Sequence, residues 1–306
     1  MKYIDLHTHT SFSDGEVPPE HSLAEAESIG LSLFSVSDHN TVAAYTAIPQ
    51  CRHLFSGSIL PAVELTTTFK GDVIEILGYG IDTEKIDGLI KKNYLSFYDK
   101  QVKEARLNTE AMLAAGVTLD PEFVRAMIDE PWTLFDPSRR TSRPQLLAEI
   151  KRHPENVRFF ESEEEFLNLN HQRFMRNYLF NSQSALYCDQ SPLTAELYTV
   201  LDMIKQCGGL AFLAHPFSYS QNVLSSLDGL AAVGLDGMEC FYGTFTAEQK
   251  KYMYEFCEDH GLFKSGGSDF HGKIMRPKNP IGYSDGEKIP FSLIEPWFCR
   301  VEHSLI

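Results

Sequence analysis

The chain has 306 residues, with 27 basic and 42 acidic side chains, a formal net charge of −15 and 43% hydrophobic residues. That composition is ordinary for a globular α/β protein, long enough for one large domain or for a barrel carrying an inserted module. So acidic a chain is not expected to hold duplex nucleic acid or an anionic membrane by bulk attraction, so any phosphorylated substrate must meet positive charge supplied locally, for instance by metal ions. No run reaches the roughly 18 uninterrupted apolar residues that a spanning helix needs. The opening Met-Lys-Tyr-Ile-Asp-Leu-His is too short and polar for a secretory core. Six scattered cysteines without a Cys-x-x-Cys pair suit reduced, buried thiols and a cytoplasmic location. There is no repeat, low-complexity tract or Gly-rich phosphate loop.

In chain order, residues 1–95 alternate short apolar runs with helical segments. Strands are expected over Tyr3–Thr8, Leu33–Ser37, Ile59–Leu65 and Val73–Leu77, with a helix over Pro19–Ile29 opened by Pro18-Pro19. From 96 to 190 the pattern turns helical, with helices expected over Lys100–Ala115, Pro121–Ile128, Arg143–Lys151 and Glu163–Asn177 and no β-run between them. Residues 191–306 resume the alternation: helix Thr194–Gln206, strand Leu210–Ala214, helix Ser225–Ala232, strand Gly237–Phe241, helix Ala247–His260 and strand Phe263–Ser265. Strands separated by helices point to parallel pairing. Residues 1–95 and 191–306 can together make one barrel, with 96–190 inserted as a helical cap.

The chemistry gathers where these strands end. His7 and His9, two residues apart in Asp5-Leu6-His7-Thr8-His9, point to the same side by the strand period. Asp14 follows in a turn, His39 ends Ser37-Asp38-His39-Asn40, Glu64 closes Ala62-Val63-Glu64-Leu65, and His215 ends Phe212-Leu213-Ala214-His215-Pro216. Asp269 and His271 sit in Gly267-Ser268-Asp269-Phe270-His271-Gly272. Parallel α/β folds collect catalytic groups at this edge. Five histidines and three carboxylates exceed the roughly three protein ligands one catalytic zinc takes, so two or three bridged divalent ions are expected.

At these residues the sequence resembles the PHP (polymerase and histidinol phosphatase) metal-dependent phosphoesterases, across both flanking segments. The resemblance implies an α/β fold built as a distorted, TIM-like (β/α)7 barrel with a trinuclear centre of Mn, Fe or Zn. It implies that His7, His9, Glu64 and Asp269 hold one ion, that Glu64 bridges to a second held by His215, and that Asp14, His39 and His271 hold the third. Many members carry histidine in the strand after the bridging glutamate, where this chain has Val73-Ile74-Glu75-Ile76-Leu77. An unpaired charge in such an apolar run is costly to bury, so Glu75 either faces solvent or binds metal in place of the imidazole. The second reading is the expectation taken here, and it favours Mn²⁺ or Fe²⁺ over Zn²⁺ at that site.

The insertion carries 12 basic and 15 acidic residues, yet nine of the twelve arginines in the chain. Arginine forks match phosphate oxygens in a way lysine does not. Thr141-Ser142-Arg143-Pro144-Gln145 resembles the Arg-Pro-His segment in the insertion of PHP enzymes acting on nucleotides or short RNA, with Gln145 in place of the histidine. Arg143 is therefore expected to reach the substrate phosphate, with Arg106 a second candidate. Hydrolysis by metal-activated water would follow, Asp269 among the ligands and His215 a candidate proton donor to the leaving group. Asp38 and Glu239 either orient ligands or are ordinary buried carboxylates. The substrate expected is a nucleotide monoester such as AMP or a small phosphodiester. The alternatives are histidinol-phosphate phosphatase, amidohydrolase chemistry and a non-catalytic metal- or nucleotide-binding barrel.

Overall fold

A computed structural model describes residues 1–129 and 142–306. The fold is α/β, with its strands in two main sheets. One sheet is parallel and short: β1 (Ile4–Asp5), β2 (Leu33–Phe34) and β3 (Ser58–Ile59), in the order β1-β2-β3. The other runs β4 (Ala62–Phe69), β5 (Asp72–Tyr79), β6 (Leu210–Leu213), β7 (Gly237–Tyr242) and β8 (Phe263–Gly267), in chain order.

Two expectations are corrected here. The single strand foreseen over Ile59–Leu65 is two, β3 and β4, parted at Leu60-Pro61; Pro61 has no N–H to continue a ladder. The parallel pairing foreseen throughout does not form either. β5 pairs antiparallel with both β4 and β6, because only Lys70-Gly71 joins β4 to β5. Both turn residues have positive φ, 50° and 91°, the left-handed pair of a two-residue hairpin matched to strand twist. Among the described residues no continuous closed barrel results. Beyond β1 the chain reaches β8 through single backbone bonds, Leu6 N–H to Gly266 O at 3.2 Å and Asp269 N–H to His7 O at 2.7 Å. On the other side Asn40 N–H donates to Glu64 O at 2.8 Å, bringing the stretch after β2 to β4.

Helices α1 (Pro19–Ile29) and α2 (Ala44–Cys51) cover the first sheet, and α3 (Thr83–Asn93) follows β5. Pro19 at the first helical position and Gly30 in the left-handed C-terminal position fix the limits of α1 as the sequence anticipates. Next come α4 (Phe97–Ala114), α5 (Pro121–Ile128), α6 (Ser142–Arg152), α7 (Glu163–Asn168) and α8 (His171–Phe174), the last running into a π-helical turn, Met175–Leu179. The helix foreseen over Glu163–Asn177 breaks at Leu169-Asn170, because Asn170 turns its side chain to accept from Arg173 N–H and starts a new helix. These helices enclose an apolar cluster of their own, including Met112, Leu146, Ile150, Phe166, Phe174 and Leu179. After it come α9 (Leu197–Gln206), α10 (Gln221–Leu224), α11 (Leu227–Ala231), α12 (Ala247–Asp259) and α13 (Glu295–Phe298).

Ile4, Leu6, Ala62, Leu77, Tyr79 and Phe212 line the space between the sheets, stoppered by Trp297 of α13. The indole N–H of Trp297 donates to Lys264 O at 2.8 Å, near the start of β8, and its ring stacks on Tyr79 with centroids 5.7 Å apart. That plug closes the end where β1, β6 and β8 begin. The other end stays open to polar side chains.

Candidate metal centre

The first ligand pair comes from an extended stretch running past β1, so His7 and His9 share a face, as period two requires. Both are fully buried. His7 Nε2 lies 3.3 Å from Glu64 Oε2 and 3.5 Å from Asp269 Oδ1; His9 Nε2 lies 3.2 and 3.1 Å from the same two atoms. Glu64 is the hub: His215 Nε2 stands 3.1 Å from its other oxygen, and His39 Nδ1 3.0 Å from Oε2. Asp14, on a turn, faces His39 Nε2 at 3.6 Å and His271 Nε2 at 3.3 Å. All eight groups named from the strand ends are thus brought together.

Glu75 belongs with them and does not stand off in solvent. Opposite residues of an antiparallel pair share a face, and Glu75 pairs with Thr66, two along from Glu64. Its carboxylate therefore reaches the same end of the sheet, 3.3 Å from His39 Nδ1 and 3.3 Å from His215 Nε2.

Ligand atoms group into His9-Asp14-His39-His271, His7-His9-Asp269, His7-Glu64-His215 and His39-Glu64-Glu75. The fit to divalent cations can be judged from unused valence. His7 Nε2, His9 Nε2, His39 Nδ1, His271 Nε2 and Glu64 Oε2 are buried without a hydrogen-bond partner among the described residues. Buried polar atoms are almost always paired, so this many orphans converging on one volume suit bound cations. Imidazole with carboxylate is the donor set that Mn, Fe and Zn accept.

Electrostatics agree. Burial alone would depress His7, but Glu64 and Glu239 raise it to about 10; at His215 Glu64 and Glu75 likewise overcome burial and raise it to about 9. Burial and the neighbouring His271 push His9 down to about 4, and burial takes His39 down to about 3 despite Asp14 and Glu64. Burial works against ionisation of Glu64, yet His7 and His39 hold its carboxyl well below the usual range. Without ions, protonated His7 and His215 balance Glu64 and Glu75.

A second layer of contacts sets the ligands. Glu239 of β7 accepts at His7 Nδ1 at 3.1 Å and from His215 N–H at 2.8 Å. Asp38 accepts from Thr10 N–H at 2.7 Å and from the Thr10 and Ser13 hydroxyls, bracing the loop that carries Asp14. Sequence reasoning missed four residues. Asp5 accepts from the backbone of His7, Ser268 and Gly282 at 3.2, 2.9 and 2.7 Å, tying two ligand-bearing segments to the Gly282 turn. Its place two residues before His7 was the signal available. Tyr242 donates to Asp269 Oδ2 at 2.8 Å, Arg276 pairs with the same oxygen, and the Tyr219 hydroxyl accepts from Glu75 N–H at 2.9 Å. Three backbone positions here carry strain: Asn40 beside His39, His215 and Asp269 have φ of 54°, 26° and 55°, left-handed conformations that non-glycine residues seldom adopt.

Over the cluster opens a cleft of two lobes, about 550 and 640 Å³, which share His39, Val73, Glu75, Arg143 and Phe180. The larger lobe is lined by Arg173, Arg176, Arg276 and Lys278, the smaller by Phe12, Tyr94, Phe97, Lys91 and Lys100. Arg143 borders both lobes of the cleft. Arg106 does not: its guanidinium caps the Ile128 carbonyl at the end of α5 at 3.0 and 2.7 Å. Helix C-termini draw such cations, and this use of Arg106 corrects its assignment to the substrate. Gln145 is likewise absent from the residues lining either lobe. Thr141 lies outside the described residues. Among them, no helix is long and apolar enough to cross a membrane.

No protein-family profile matches the chain. Individual relatives do. A 5'-3' exoribonuclease of Haemophilus influenzae is 25% identical over 277 residues, covering 88% of this chain and 90% of its own. A phosphoribosyl 1,2-cyclic phosphate 1,2-diphosphodiesterase of Eggerthella lenta is 25% identical, covering 89% and 95%. A 3',5'-nucleoside bisphosphate phosphatase of Chromobacterium violaceum is 23% identical, covering 89% and 88%. In fold, the chain is similar to a structure called an amidohydrolase from Chromobacterium violaceum (TM-score 0.65, 21% identity, 99% and 97% covered). It is similar also to one assigned as a metal-dependent phosphoesterase from Bifidobacterium adolescentis (TM-score 0.60, 20% identity, 98% and 96% covered). The ligand set, the α/β scaffold and these relatives define a metal-dependent phosphoesterase. These likenesses are consistent with the PHP family that the strand-end motifs resemble.

Proposed function

We propose that this enzyme hydrolyses phosphate esters of nucleotides, as AMP-like monoesters or small phosphodiesters, with the scissile phosphate lodged where the two lobes meet. The observation that carries the reading is the convergence of imidazole and carboxylate atoms, several buried without partners, on the floor of an arginine-lined cleft. The relatives support the substrate class, since each bears the name of an enzyme acting on RNA, a cyclic sugar phosphate or a nucleoside bisphosphate.

Two or three divalent ions would be held by His7, His9, Glu64 and Asp269, by Glu64, Glu75 and His215, and by Asp14, His39 and His271. Bound there, they would bring water toward ionisation near neutral pH and offset the charge of phosphate oxygens. The chain's own part is to fix that arrangement and receive the substrate. Arg143 meets the phosphate from the cleft wall, Arg173 and Arg176 add positive charge in the larger lobe, and Tyr94 and Phe97 offer faces to a base in the smaller. Glu64, and no lysine, sits where the histidines converge, which favours phosphoester over amide chemistry. The two sheets are read as an opened relative of the seven-stranded barrel, with residues 96–190 as its substrate cap.

The test is hydrolysis of p-nitrophenyl phosphate, bis-p-nitrophenyl phosphate and AMP with added Mn²⁺, with a chelator control. Turnover of none of the three, with ions bound, would reject the proposal.

A further inference from the structure

We propose that Glu104 is a positioning residue that aims the Arg143 guanidinium into the cleft, an inference resting on the reading of Arg143 as a phosphate-directed group. Glu104 lies midway along α4 and is completely buried, beside the buried Gln101, Ala105, Asn108 and Thr109 of the same helix. One of its oxygens accepts from Arg143 Nε, across from α4 to α6. The guanidinium also lies over the Phe180 ring, 5.1 Å from its centroid, and Nη1 touches Met175 Sδ at 3.1 Å, a weak acceptor. Contacts from two separate segments, α4 and the turn from Met175 to Phe180, therefore fix the plane and tilt of one arginine head. A carboxylate that grips Nε leaves the Nη end to face outward, and Arg143 borders both lobes.

A buried ion pair is a poor way merely to join two helices. Apolar residues of similar volume usually pack as well or better, because two charges must lose their water. The second oxygen of Glu104 has no hydrogen-bond partner among the described residues, which adds to the cost. What the pair supplies that an apolar contact could not is a fixed direction for a cation bordering the same cleft as His39 and Glu75. Misplacing a substrate-binding group by an ångström can cost about a hundredfold in rate.

The experiment compares E104A, E104Q, R143A and E104A/R143A as Mn²⁺-loaded full-length proteins. It measures kcat/KM on AMP, the affinity for inorganic phosphate by calorimetry, and metal content. E104A should lose about ten- to hundredfold in kcat/KM and weaken phosphate binding with its ions retained. E104Q, whose amide oxygen still accepts from Nε, should stay within about threefold of wild type. E104A/R143A should be no slower than R143A, because the effect of Glu104 passes through the arginine. Should R143A fail to fold with its buried carboxylate stranded, the same comparison is made in the E104Q background. The proposal is overturned if E104A keeps wild-type kcat/KM and phosphate affinity, or if its loss multiplies with that of R143A. A fully active R143A overturns the reading of Arg143 and the role of Glu104 with it. Wild-type R143A beside an impaired E104A would make Glu104 a packing residue.

Discussion

Among the candidate metal-binding positions, Glu75 is where this chain departs from the pattern it resembles, and geometry draws it into the cluster. A carboxylate with oxygens 3.3 Å from both His39 and His215 is a harder donor than the imidazole it replaces. E75A is expected to lose one ion per chain and most of its turnover. E75H should keep the ion count but shift preference from Mn²⁺ toward Zn²⁺ when both are offered in equal amounts. Mass-spectrometric metal analysis reads both, and an E75A protein with the wild-type ions would remove Glu75 from the centre. The side chains that cluster here were legible because each belongs to a short motif whose geometry follows from the strand period. His7 and His9 need only alternate to share a face. Arg106 was misread because arginine content says nothing about direction: a helix C-terminus at Ile128 competes for the same fork, and only the packing of α4 on α5 decides it. Arg276 left no mark in sequence at all, lying in a loop whose path nothing local determines.

At the scale of elements, the site depends on one close approach. A Cβ on Gly267, at the end of β8, would stand 2.2 Å from His7 Cβ and 2.4 Å from its backbone nitrogen. Backbone cannot yield by that much, so G267A must push the His7–His9 stretch off β8. We expect about 1–3 kcal/mol of lost stability, the usual toll of overpacking, together with loss of bound metal. Urea unfolding with and without Mn²⁺ checks this; a G267A protein of wild-type stability and metal content would show that the approach is not required. Helices α1, α9, α11 and α12 and most strands of the flanking segments were readable from periodicity, helped by strong end signals such as Pro19 and Gly30, whereas α2, α3, α10 and α13 were not foreseen. The antiparallel β4–β5 hairpin was not. Its turn, Lys70-Gly71, lacks the usual Asn-Gly or Asp-Gly signature, and alternating β and α elements elsewhere argued for parallel strands. Pro61 was visible, but Ile59–Leu65 looks like one apolar run until a ladder has to pass through it.

For the whole molecule, the metal centre should govern how stability responds to pH. In the metal-free protein His7 and His215 titrate at about 10 and 9, above the ordinary histidine value, because Glu64, Glu239 and Glu75 hold their protons. A pKa raised in the folded state means stabilisation that is complete below about pH 6.5 and lost as pH climbs through 9 and 10. The chelated protein should therefore melt progressively lower from pH 7 to 10. Ions replace those protons as the positive partners of Glu64 and Glu75, so Mn²⁺ loading should flatten that decline and raise the melting temperature throughout. Parallel melting curves with and without metal would contradict this.

The account stands or falls on the cluster as the source of activity. The most direct measurement starts from protein stripped by chelation and follows AMP hydrolysis as Mn²⁺ is titrated back. Turnover should be absent at first, then rise and saturate at two to three equivalents per chain. Full turnover by the stripped protein, indifferent to added ions, would contradict it.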